Sequence, residues 1–170
     1  MTGRVVLVLG GARSGKSSFA EQLGDALAGQ HIYLATAQAL DDEMTSRIAR
    51  HRADRASHWH TVECPLELEE SIREHDGKDA VLLVDCLTIW LSNLMLGDHD
   101  VAAARDRLAK LVADIQGVLL LVSNEVGQGI VPDNALARQF RDEAGWLNQA
   151  MARAADEVWF VTAGLPQRLK

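Results

Sequence analysis

The chain has 170 residues, enough for one fully cored domain over residues 1–170 and too few for two. Acidic residues outnumber basic ones 24 to 17, and a formal charge of −7 excludes a broad electrostatic footprint for nucleic acid. Two cysteines, Cys64 and Cys86, are too few and too isolated for a disulfide framework or a metal knuckle, and no apolar run approaches the ~20 residues of a membrane span. The expectation is a cytoplasmic protein with reduced, buried thiols. No secretory leader is expected, because the first apolar run passes straight into a glycine-rich loop.

That run, VVLVL at 5–9, suits a buried strand, and the pattern after Lys16 reads as a helix to about residue 27, with Gly29 as its stop signal. Between them Gly10, Gly11, Ala12, Arg13, Ser14, Gly15, Lys16 and Ser17 fill the G-x-x-x-x-G-K-[ST] pattern of a phosphate loop. Small residues there let successive backbone N–H groups point at phosphate oxygens, and the helix N-terminus adds its positive end. Lys16 is placed to reach the β- and γ-phosphates, and the Ser17 hydroxyl to sit on Mg2+.

Further strands are expected at 31–35, 80–85, 118–123 and 157–162, and helices at 65–74, 87–96, 101–116 and 134–155. The strands are continuously apolar rather than alternating, as in a parallel sheet covered on both faces. The fold class is therefore α/β, a P-loop NTPase sandwich with a mainly parallel sheet and helices on both faces. The strand at 80–84 ends in Asp85, the position from which a carboxylate holds or orients Mg2+ in a nucleotide site. The same residue could also cap the helix beginning near Leu87, and Thr88 lies in the same corner. Asn124 and Glu125 follow another apolar strand, at the carboxyl edge where open α/β sheets bind ligands. They suit a ligand contact and a turn before Pro132 equally well.

Residues 41–55 read DDEMTSRIARHRADR, with acids first and bases after, as helix dipoles favour. On a helix Arg47, His51 and Arg55 form one stripe, with Arg50 and Arg52 nearby, and Met44 and Ile48 are the only large apolar residues. The stripe fits either a solvated face or a polyphosphate site, for which guanidinium groups are well shaped. Of six histidines, His51 alone stands among phosphate-binding side chains, and a neutral imidazole is a competent nucleophile or base. The pair His58 and His60 lacks a third ligand at zinc spacing.

These motifs together resemble the bifunctional adenosylcobinamide kinase and adenosylcobinamide-phosphate guanylyltransferase family of cobalamin biosynthesis. The resemblance runs through GGARSGKS at 10–17, ATAQ at 35–38, DDEM at 41–44, RIARHR at 47–52 and LLVDCLT at 82–88. It continues through SNEVGQGIVP at 123–132, ARQFRDEAGWLNQ at 137–149 and AADEVWFVTAGLP at 154–166. It implies that His51 accepts the guanylyl group of GTP as a covalent phosphoramidate, and that Ala35, Thr36, Ala37, Arg52, Ala53, Asp54, Arg55, Glu63 and Asp85 contact nucleotide. It further implies ATP or GTP as phosphoryl donor, Mg2+, a corrinoid substrate, a RecA-like sheet and a homotrimer. Where some relatives carry a second histidine before the nucleophile, this chain has Arg50.

Two rival readings are separable. A GTP-dependent switch would carry an N-K-x-D or T-K-x-D tetrad after a later strand, and none stands there. A simple small-molecule kinase would use the same loop and carboxylate and leave His51 incidental.

Overall fold

The structure is a computed structural model that describes residues 3–38 and 56–170. The uninterrupted apolar runs become the strands β1 (Arg4–Gly10), β2 (Gln30–Ala35), β4 (Ala80–Asp85), β5 (Val118–Asn124) and β6 (Glu157–Thr162). Two short strands join them, β3 (His60–Glu63) and β7 (Leu165–Arg168), and the seven form one sheet in the order β3-β2-β4-β5-β1-β6-β7. All pairings are parallel except β6 with β7.

Five helices are described: α1 (Lys16–Asp25), α2 (Leu68–His75), α3 (Leu87–Leu96), α4 (Val101–Val112) and α5 (Ala135–Ala154). Successive strand residues point to opposite faces, so each apolar run divides between two cores. Val5, Leu7, Leu34, Leu82, Leu119 and Leu121 pack with Leu68, Trp90, Leu108 and Met151 of α2 to α5. On the other face Val6, Val8, Tyr33, Leu83, Leu120 and Val122 meet Ala20 and Phe19 of α1 together with Trp59. Helix α1 approaches so closely that a Cβ on Gly24 would lie 2.6 Å from Trp59 Cζ2.

Element ends differ from the periodicity reading for identifiable reasons. Helix α2 starts at Leu68 rather than 65, because the carbonyls of Pro65 and Leu66 are used elsewhere, accepting from Asn93 Nδ2 and Trp90 Nε1. Helix α4 stops at Val112, and the chain turns so that Gln116 and Gly117 donate their N–H groups to Asp76. Asp100 and Asn134 do cap α4 and α5, accepting from the N–H groups of Ala103 and Ala137.

Candidate active site

Strand β1 delivers the glycine-rich loop to the carboxyl edge of the sheet, and α1 begins at Lys16 directly after Gly15, whose φ is 93°. Arg13 also has a positive φ, 55°, so two left-handed residues fold the chain back over itself. Gly10 has no room for a side chain: a Cβ there would meet Ser14 Oγ and lie 2.7 Å from the carbonyl oxygen of Val161. Lys16 is buried, and its Nζ donates to Gly11 O at 3.0 Å, which lays the ammonium across the mouth of the loop. Ser14 Oγ is buried with no hydrogen-bond partner among the described residues, a polar atom that a phosphate oxygen can satisfy.

A second group of candidates is aligned by strand register. In β3, β2 and β4 the residues Glu63, Ala35 and Asp85 are neighbours in one row, each at the carboxyl end of its strand. Strand β5 alone separates β4 from β1, which places Asp85 about 10 Å across the sheet from the phosphate loop. Asp85 does not cap the following helix: the N-cap of α3 is Cys86, and no side chain bonds there. Its Oδ2 instead accepts from the hydroxyl of buried Tyr33 at 2.8 Å. Ser17 and Asp85 offer oxygen donors only, the set a hard dication such as Mg2+ prefers, so the residues fit that ion.

Thr36 locks the β2 end to the β4 end. Its Oγ1 donates to Cys86 O at 2.8 Å and accepts from Cys86 N at 2.9 Å, while Asn93 Nδ2 donates to Thr36 O and to Pro65 O. A comparable buried network secures the end of β5. Thr88 Oγ1 accepts from Asn124 N at 2.7 Å, Ser123 Oγ donates to Asn148 Oδ1, and Asn148 Nδ2 donates to Asn124 O. Asn124 lies opposite Gly10, and Glu125 N donates to Gly10 O at 3.0 Å, so this strand end is tied to the first residue of the phosphate loop. Glu125 Oε1 accepts from Gly127 N, which holds the carboxylate over the turn that follows β5.

The phosphate loop and the row Glu63, Ala35, Asp85 are thus brought to one edge. Arg47, His51, Arg52, Ala53, Asp54 and Arg55 lie outside the described residues. Cys64 and Cys86 are free and buried, and burial pushes each thiol up to about 11, so neither is a nucleophile at neutral pH. His58 pairs with Asp25 at 2.9 Å, and Trp59 Nε1 donates to the same oxygen.

Tyr33, Asn93 and Asn148 were not legible as site residues, since their roles depend on contacts across 52, 57 and 24 positions of chain. The turn between β6 and β7 was missed as well. Ala163 and Gly164 have φ of 52° and 78°, a two-residue hairpin turn, and Gly164 N donates to Ser14 O at 2.7 Å, buttressing the phosphate loop from the far side.

Residues 6–169 match the family described as cobinamide kinase / cobinamide phosphate guanyltransferase. The chain belongs to this family. The bifunctional adenosylcobalamin biosynthesis protein CobP of Pseudomonas aeruginosa is 49% identical over 166 residues, covering 96% of each chain. The protein CobU of Salmonella typhimurium, also named a bifunctional adenosylcobalamin biosynthesis protein, is 44% identical and covers 98% of this chain and 99% of its own. Among solved structures, a protein of Pyrococcus horikoshii aligns with a TM-score of 0.55 at 10% identity, over 99% of this chain and 87% of that one. The type III secretion ATPase EscN of enteropathogenic E. coli aligns with a TM-score of 0.56 at 13% identity, over 95% of this chain and 43% of the ATPase. At such identities the likeness speaks for the fold alone, a RecA-like P-loop sheet with one strand between the loop strand and the carboxylate strand.

Proposed function

We propose that the chain phosphorylates adenosylcobinamide with ATP or GTP and then transfers GMP from GTP to the resulting phosphate. The products are adenosylcobinamide-GDP and pyrophosphate. The observation that carries this reading is the meeting, at one sheet edge, of the phosphate loop with the Glu63, Ala35, Asp85 row, in a chain of this family.

In the first reaction the corrinoid alcohol attacks the γ-phosphorus, its proton leaves the oxygen, and the nucleoside diphosphate departs with the bond's electron pair. Lys16 and the loop N–H groups hold the phosphates while charge shifts onto the departing oxygens. In the second, the His51 imidazole attacks the α-phosphorus of GTP, releasing pyrophosphate, and the corrinoid phosphate then displaces histidine from the phosphoramidate. Residues 10–17, 35–37 and 52–55 with Glu63 contact the nucleotide. Ser17 and Asp85 would hold Mg2+, which when bound draws charge from the phosphate oxygens.

One nucleotide-binding unit over residues 1–170, acting as a homotrimer in the cytoplasm, completes the reading. No helix among the described residues is long and apolar enough to cross a membrane. Two labelled forms of GTP test the reaction order. Label from the γ-position should enter the corrinoid first, and label from the α-position should follow only after that step. Incorporation of γ-label alone would reduce the activity to that of a kinase.

A further inference from the structure

The exposed apolar residues are not scattered evenly. Of the eight large ones among the described residues, four fall in the connection from β5 into the start of α5: Val126, Ile130, Val131 and Leu136. Ile130 is 95% exposed and Val131 57%, and with Val126 and Leu136 they concentrate apolar surface in one segment rather than scattering it singly. The segment is nevertheless built. At its start Glu125 bonds to Gly10 O through its N–H and receives Gly127 N on its carboxylate. At its end Arg138 Nη1 donates to the carbonyls of Pro132 at 2.9 Å and Asp133 at 2.6 Å, just before Asn134 caps α5.

Resting on the proposed activity, we infer that residues 125–131 form the corrinoid side of the kinase site. Val126, Ile130 and Val131 contact the macrocycle, and Glu125 accepts the hydroxyl proton. Three features favour a corrinoid as occupant. The segment leaves the sheet beside the phosphate loop, where the acceptor of a γ-phosphoryl group must stand in line with the leaving oxygen. The corrin rim presents methyl groups, which suit exposed aliphatic side chains. A Co(III) corrinoid with one alkyl ligand is cationic, and between residues 123 and 132 the single charged side chain is the carboxylate of Glu125. In the step itself the alcohol O–H bond breaks as the new O–P bond forms, the proton passes to Glu125 and then to water, and the nucleoside diphosphate leaves with the electron pair.

Steady-state kinetics of adenosylcobinamide phosphorylation by the full chain test this. Ile130→Ser should raise the corrinoid KM tenfold or more, as loss of one buried aliphatic contact predicts, while the ATP KM moves less than twofold. Glu125→Gln should lower kcat by about 10²-fold. A corrinoid KM within twofold of wild type in Ile130→Ser, or an unchanged kcat in Glu125→Gln, overturns the inference. So does a changed sedimentation coefficient of Ile130→Ser with unchanged corrinoid KM, which would give the segment to a second copy of the chain. A wild-type chain that phosphorylates no corrinoid would overturn the functional reading as well as this one.

Discussion

Tyr33 stands outside every motif, yet its hydroxyl fixes the carboxylate that the strand pattern singled out. It is buried between β3 and β4 on the α1 face, and its hydroxyl donates to Asp85 Oδ2. Tyr33→Phe keeps the ring and removes that bond, so stability should fall by only about 1 kcal/mol. The Mg2+ concentration for half-maximal activity should rise several-fold, because Asp85 loses the contact that holds its orientation. Asp85→Asn should shift the Mg2+ dependence further and lower turnover. Identical Mg2+ titrations for wild type and both variants would return Asp85 to a structural role. Asp85 was readable because an acid after four apolar residues is a local pattern. Tyr33 was not, because an aromatic residue inside a strand looks the same whether its hydroxyl is used or idle.

At the scale of elements, the central strands were legible because β1, β4 and β5 carry unbroken aliphatic runs, at 5–9, 80–84 and 118–122, that the sheet buries on both faces. The edge strands were not. Strand β3 reads HTVE and is half exposed, and β7 reads LPQR with all four residues exposed, so neither carries a core signal. Their hairpin and register partners matter all the same, since β3 brings Glu63 level with Asp85 and the β6–β7 turn braces Ser14. The junction of α3, β5 and α5 makes a sharper test. Thr88, Ser123 and Asn148 are buried and satisfy one another and the Asn124 backbone. Asn148→Ala would leave the Ser123 hydroxyl and the Asn124 carbonyl short of a partner. Denaturant unfolding should register a loss of about 1–3 kcal/mol. The end of β5 should loosen with it, raising the nucleotide KM. A variant with wild-type stability and wild-type KM would show that the network does not hold this edge.

For the whole molecule, strand order decides what meets what, and no single sequence states it. Placing β5 between β1 and β4 sets the phosphate loop and Asp85 two strands apart with Asn124 between them, an arrangement no local spacing encodes. A single phosphate loop serving both proposed reactions would have a direct kinetic consequence. Lys16→Ala should depress phosphorylation and guanylyl transfer together, by about 10² or more each, because both place charge on phosphates the same ammonium must hold. Guanylyl transfer at the wild-type rate in that variant would require a second nucleotide site.

The central claim, a guanylyltransferase working through a covalent histidine, rests on the atom that attacks GTP. Intact-protein mass after incubation with GTP and Mg2+ reads it most directly, followed by peptide mapping and the same measurement on His51→Ala. The account predicts one added GMP per chain, on His51, labile to acid and comparatively stable to base, and absent from the variant. An adduct on any other residue, or undiminished labelling of His51→Ala, would contradict it.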